Sequence, residues 1–451
     1  MCYHFTMSTR PLISRRGIAP AAAPTAGQDR YFDLKTRVHQ KLLKVLNMDT
    51  LAAANRGRLR HEVQSVVERI LQEDRLPISM VERNRLVEEI LDEVFGLGPL
   101  EPLLKDPTIS DILVNTHKYV FIERRGKLLE TGIRFQSDRH LIHVIEKIVS
   151  SVGRRIDESV PLVDARLPDG SRVNAIIPPL AVDGPSLSIR RFGRKVLSNE
   201  EMLRNQTLTQ PMMEFLAACV EARFNIVISG GTGSGKTTFL NCLSRFIPEH
   251  ERVVTIEDTA ELQLQIENVV RMETRPPNIE GKGAITQRQL LATALRMRPD
   301  RILLGEARGG EALDMLQAMG TGVEGSMTTV HANSPADAFS RLETMVMMAK
   351  LDLPSRFVRQ QMASVIHILV QTARLSDGTR KVTHIAEVLG LSERDIQVQD
   401  IFVFERTGVA DNGRVLGQFR GTGALPRCLD PLRLAGLSIS PKLFEETTVV
   451  Q

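Results

Sequence analysis

Tryptophan is absent from the 451 residues, and Phe, Tyr and Trp together supply only 4% of them. Platforms for single-stranded nucleic acid are built on aromatic stacking, so such platforms are scarce. A surplus of either charge is missing as well: Lys+Arg number 58 against 54 Asp+Glu, a net charge of +4. Chains that wrap nucleic acid carry a dense basic excess, so no nucleic-acid partner is expected. The four cysteines (Cys2, Cys219, Cys242, Cys428) form no CxxC pair. They read as reduced intracellular thiols, which excludes a disulfide framework and a zinc site. No run of about 18 apolar residues exists, so no spanning helix is encoded. Met1 to Arg16 carry three arginines without the apolar stretch of a signal peptide. A cytoplasmic chain is expected, with any membrane contact indirect, through partners.

What is present is a globular composition, 42% hydrophobic and 25% charged, on a length that calls for about two to four domains. Residues 1–29 hold a Pro/Ala segment without periodicity and read as a disordered tail. Residues 30–97 show three amphipathic helical patterns: Leu34, Val38, Leu42 and Leu46, then Leu59 to Leu71, then Leu86, Ile90, Leu91 and Val94. The third opens on Ser79 and Glu82, a capping box, and meets Gly96 at a C-cap. Residues 98–195 mix short strands with one helix, an α+β domain. A polar stretch at 196–210 reads as a linker. Strand and helix patterns then alternate over 211–390, which implies an α/β fold with a parallel sheet. Residues 391–451 complete a C-terminal subdomain.

The chemistry concentrates in the α/β part. Gly230-Gly231-Thr232-Gly233-Ser234-Gly235-Lys236-Thr237, followed by Thr238, fits the G-x-x-x-x-G-K-[ST] loop, after an apolar strand and before a helix. Its glycines let backbone N–H groups surround a phosphate, and the helix N-terminus adds its positive end. Lys236 is placed to reach β/γ oxygens and Thr237 to ligate Mg²⁺, making ATP and Mg²⁺ the expected cofactors. Three more strands end on polar residues: Val253–Ile256 on Glu257-Asp258, Arg301–Gly305 on Glu306, and Ser326–Val330 on His331. Strand ends face the ligand crevice of an open α/β sheet. No Asp precedes Glu306, which leaves that carboxylate as the metal helper.

In this order the motifs resemble those of secretion ATPases. Thr255-Ile-Glu-Asp-Thr259 is similar to their Asp box, Leu295–Arg308 to their Walker B region, and Gly325–Asn333 to their His box. Arg275–Gly283, Gly309–Met319 and Asp400–Gly408 resemble the CpaF/TadA branch, which powers assembly of Flp (tight-adherence) pili. The resemblance spans about Tyr31 to Phe444. It implies a RecA-like core behind a PAS-like α+β domain and a homo-hexameric ring acting on inner-membrane pilus platform proteins. It further implies Glu257 as the group polarising water, Glu306 assisting Mg²⁺, and His331 reporting the γ-phosphate. Arg172, Arg190 and Arg191 of the α+β domain are the candidates to complete the site, with Arg271 or Arg296 in reserve. Alternatives are a type IV secretion traffic ATPase and a nucleic-acid-stimulated RecA-type motor. A GTPase is disfavoured: the nearest string to [NT]-K-x-D, Ala349-Lys-Leu-Asp352, lacks the first residue.

Overall fold

The computed structural model describes residues 31, 34, 35, 37, 38, 41, 56–73, 79–124, 126–192, 197–277, 281–349, 353–393 and 395–450. The expected tail at 1–29 and most of the first expected helix lie outside these residues. The chain divides into two compact units, Met1–Phe192 and Gly193–Gln451.

In the first unit, helices α1 (Arg56–Glu73) and α2 (Met80–Phe95) close over their own apolar seam. Val38, Val63, Val67, Leu86 and Ile90 are buried together there. The capping box forms as its spacing requires: Ser79 Oγ accepts the Glu82 N–H at 3.2 Å, and Glu82 returns the favour to the Ser79 N–H at 2.9 Å. Gly96 does cap α2, but not by a left-handed turn. Its φ is −105°, and the need for glycine is space, since a Cβ would lie 2.5 Å from the Glu101 carboxylate.

A short helix, α3 (Glu101–Lys105), leads into six strands. They are β1 (Ile109–Thr116), β2 (Tyr119–Arg124), β3 (Lys127–Glu130), β4 (Leu162–Arg166), β5 (Arg172–Ile176) and β6 (Ser186–Arg190). They form one antiparallel sheet in the order β3-β2-β1-β6-β5-β4. Helix α4 (Asp138–Ser151) puts Leu141, Val144, Ile145 and Ile148 into the same core as Ile112, Val114, Leu187 and Ile189.

The second unit is α/β and RecA-like. Its strands are β7 (Ile226–Gly230), β8 (Val253–Glu257), β9 (Val269–Glu273), β10 (Arg301–Ala307), β11 (Met327–Val330), β12 (Ile368–Arg374), β13 (Arg380–Ser392), β14 (Asp395–Val409), β15 (Val415–Gly421) and β16 (Thr447–Val450). The sheet order is β16-β15-β14-β13-β12-β7-β11-β10-β8-β9. From β12 to β9 every pairing is parallel, and from β12 to β16 every pairing is antiparallel. Ile226 and Ile228 face one core while Val227 faces the other, as expected of a strand covered on both sides.

Two expected boundaries shift. The stretch at 196–210 is no polar linker throughout. Helix α5 (Asn199–Arg204) starts on a Ser198/Glu201 capping box, and Met202 and Leu208 are buried in the core of the second unit. The boundary at 390 falls inside β13. The C-terminal strands extend the same sheet, and Phe402 and Phe444 pack against Phe215 of helix α6 (Gln210–Glu221) with centroids 5.6–6.0 Å apart. Burial of three aromatic rings in one core joins what the sequence texture divides. Among the described residues, no helix is long and apolar enough to cross a membrane.

Candidate nucleotide site

The glycine loop runs from the C-terminal end of β7 into helix α7 (Lys236–Leu243). Gly233 and Gly235 adopt φ of +71° and +95°, conformations that Cβ-bearing residues avoid. Gly230 is required for room: a Cβ there would stand 2.4 Å from both Ser234 Oγ and Thr372 Oγ1. Those hydroxyls form a strap. Thr372 Oγ1 donates to the Ser229 carbonyl at 3.1 Å and lies 3.0 Å from Ser234 Oγ, which ties the loop to the neighbouring strand β12. Arg380 Nε donates to the Gly233 carbonyl at 2.9 Å, and Arg374 flanks the same glycine. Gly231 faces Asn333, whose Oδ1 lies 3.8 Å from where a Cβ would sit. Thr232 and Thr238 are exposed, and Thr237 is half-buried in the first turn of α7.

Lys236 is nearly buried, and its Nζ donates to the Gly231 carbonyl at 3.3 Å. It also lies 3.6 Å from Glu306 Oε1 at the end of β10. The structure thus brings Lys236 of the loop and Glu306 of β10 together. On the adjacent strand β8, Glu257 is buried against the backbone of Gly305, where a Cβ would stand 2.9 Å from Glu257 Cγ. Its Oε2 accepts the Glu261 and Leu262 N–H groups at 2.8 and 3.0 Å. Its Oε1 is buried and finds no hydrogen-bond partner among the described residues. Burial pushes this carboxyl above its usual range, against the pull of the two backbone donors. A buried acceptor left open is costly, about 1–3 kcal/mol, and marks a place where a further donor belongs. His331 follows β11 and is exposed.

The arginines of the first unit are arranged by strand register. Arg166 lies opposite Arg172, and Arg172 opposite Arg190, so three guanidinium-bearing residues stand in a row across β4, β5 and β6 on one face. Directly opposed like charges are unfavourable, and the row ends on a carboxylate, Asp111 of β1 opposite Arg190. Arg191 points to the other face, and its guanidinium donates to the Asp106 carbonyl. Arg166 was not singled out from the sequence, nor were Thr372, Arg374, Arg380 and Arg308. The nearest signal for the second unit's members is the turn Asp377-Gly378 between two basic strand ends.

At the opposite end of the sheet, Arg301 anchors the start of β10. Its side chain is fully buried, with Nη1 on the Val220 carbonyl at 2.6 Å and Nη2 on Glu251 at 3.2 Å.

Residues 93–409 match the family described as type II/IV secretion system protein, and residues 31–95 match the type II secretion system protein E N-terminal domain. The chain belongs to the type II/IV secretion system protein family. Relatives of this secretion-system protein include a Mycobacterium tuberculosis protein assigned provisionally to conjugal transfer. That protein is 34% identical over 330 residues, which are 72% of this chain and 93% of the relative. The type IV secretion system protein PtlH of Bordetella pertussis is 35% identical over 62% of this chain and 90% of its own. The crystal structure of the VirB11 ATPase from the Brucella suis type IV secretion system, in complex with sulphate, aligns with a TM-score of 0.36. It is 30% identical and covers 66% of this chain and 97% of that one.

Proposed function

We propose that this secretion-system protein is an ATP-hydrolysing motor that drives assembly of a Flp-type pilus from the cytoplasmic face of the inner membrane. The observation that carries the enzymatic part is the glycine cradle of Gly230–Gly235 with Lys236 beside Glu306 and an open oxygen on buried Glu257. Gly231 to Thr238 hold the phosphates through backbone N–H groups, and Lys236 turns from Glu306 to the β/γ oxygens. A hydroxyl and a carboxylate suit a hard cation, so Thr237 and Glu306 would hold Mg²⁺. A cation held there would supply positive charge against the phosphates. Glu257 Oε1 is the acceptor for a water proton, and burial above the usual carboxylate range makes it a better base near neutral pH. His331 reports the γ-phosphate. Arg172 and Arg190 are the candidates to complete the site, in their own subunit or across a ring interface, while Arg191 serves its own domain. A homo-hexamer passes the resulting domain motion to inner-membrane platform proteins.

Support for the pilus assignment is the resemblance of Arg275–Gly283, Gly309–Met319 and Asp400–Gly408 to the CpaF/TadA branch. The names of relatives such as PtlH favour a second reading, a traffic ATPase of a type IV secretion system. Phosphate release by wild type and Lys236→Ala tests the ATPase: equal turnover refutes it. A deletion strain scored for surface pili and for export of protein or DNA separates the two cargoes. Normal piliation with lost export would favour the second.

A further inference from the structure

Four charged side chains meet at the C-terminal ends of β8 and β10. Glu306 is shared by two cations. Lys236 Nζ stands 3.6 Å from its Oε1, while Arg308 Nε and Nη2 donate to its Oε2 at 2.8 and 2.5 Å. Arg308 also reaches the neighbouring motif, with Nη1 on Asp258 Oδ2 at 3.2 Å. The main chain beneath it is held too, since Glu311 Oε1 accepts the N–H groups of Arg308 and Gly309 at 2.6 and 2.7 Å. A side chain more than half exposed would ordinarily sample many rotamers. Here three guanidinium N–H groups converge on two carboxylates from different strands.

The arrangement has a consequence for Lys236. Until a divalent cation is seated, a lysine that turns from Glu306 leaves that partly buried carboxylate without a cation. With Arg308 on the other oxygen, Glu306 keeps a cation throughout. A guanidinium is suited to this because its fork serves two acceptors at fixed angles, which a single ammonium does not.

We infer that Arg308 is a positioning residue for hydrolysis: it fixes Glu306 beside Lys236 and joins it to the Asp258 segment. The inference rests on the ATPase reading above, and it concerns a residue that contacts the reaction only through Glu306.

The test is a double-mutant cycle on the full-length protein, with Arg308→Ala, Glu306→Gln and their combination, plus Arg308→Lys. Phosphate release gives kcat and KM, and a fluorescent ATP analogue gives nucleotide affinity. Arg308→Ala should lower kcat roughly 10–100-fold, the usual effect of removing a partner that orients a metal-assisting group. KM and nucleotide affinity should change little, and Arg308→Lys should recover part of the loss. The double mutant should be no slower than Glu306→Gln alone, because the arginine acts through that carboxylate. Additive losses, a defect confined to KM, or an unchanged kcat in Arg308→Ala with normal wild-type turnover would each overturn the inference alone. Absence of turnover in the wild type would overturn the ATPase reading and this inference with it. Should Arg308→Ala be insoluble, the same cycle is run with Arg308→Gln, which keeps bulk and removes the charge, and the same criterion decides.

Discussion

Replacing Glu257 by Gln tests the chemistry most sharply, because the structure shows what the change keeps and what it removes. The Gln carbonyl oxygen can accept the Glu261 and Leu262 N–H groups, now bonded at 2.8 and 3.0 Å, so the side chain stays in place. What is lost is the open carboxylate oxygen, Oε1, replaced by a group that cannot take a proton. A general base contributes roughly 10²–10⁴-fold to rate, or about 3–5 kcal/mol of barrier. Turnover should fall by that factor while ATP binding with Mg²⁺ is retained. The pH dependence supplies a second signature. Burial raises this carboxyl, so it must ionise above the ordinary carboxylate range before it can act, and the acid limb of wild-type kcat should lie there. For stability, a group with a raised folded-state pKa contributes most below its unfolded value and loses that contribution as pH rises through the folded value. Glu257→Gln does not titrate. Its melting temperature relative to wild type should therefore increase as pH is raised through that window. Phosphate-release assays and thermal melts between pH 4 and 8, on the order of the range where such carboxyls titrate, measure both. A variant with wild-type kcat, or a stability difference that moves the opposite way with pH, would refute the assignment of Glu257 as base.

Other perturbations follow from the same geometry. Lys236→Ala should abolish turnover with the fold intact, checked by phosphate release and circular dichroism. Gly230→Ala places a methyl 2.4 Å from two hydroxyl oxygens; the overpacking should cost about 1–3 kcal/mol in denaturant titrations and weaken nucleotide binding. Arg301→Ala leaves Glu251 buried with Arg223, 3.0 Å away, as its remaining partner. Loss of such a pair costs about 3–5 kcal/mol, and the surviving arginine argues for the lower end. Arg190→Ala should lower kcat by about 10³-fold with little effect on ATP affinity. Mixing its subunits with Lys236→Ala subunits should restore some activity if the contact is made across a ring interface; no recovery in proven mixed rings places it within one subunit.

The parts of the site legible in the sequence are those whose chemistry is contiguous. A phosphate cradle needs its glycines, lysine and hydroxyl within eight positions of one another, so Gly230 to Thr237 announce themselves. Strand ends bearing carboxylates, at Glu257-Asp258 and Glu306, are legible for a related reason, because an apolar strand before each marks which residues follow at its C-terminal end. Thr372, Arg374 and Arg380 obey no such rule. They reach the loop because β12 pairs with β7 across roughly 140 intervening positions, and that pairing leaves no local trace. Strand β3 carries no pattern of its own, since three of its four residues are exposed and none is fully buried. The C-terminal boundary was misplaced because an antiparallel extension of a parallel sheet changes the sequence texture without ending the core.

Arg308 shows a subtler limit. Its sequence neighbours name the Walker B region, yet nothing in Gly305-Glu-Ala-Arg308 says which carboxylate the guanidinium serves. Residues two apart on an extended strand share a face, so Glu306 and Arg308 can pair locally. Only the parallel pairing of β10 with β8 brings Asp258 within reach of the same side chain. A local pair alone would be worth little at an exposed position. The link to Asp258 is what couples the two motifs, so Asp258→Asn should reproduce a fraction of the Arg308→Ala loss in kcat. It should add nothing further when combined with Arg308→Ala. Steady-state phosphate release on the pair measures this, and full additivity would mean that the two carboxylate-bearing motifs work independently.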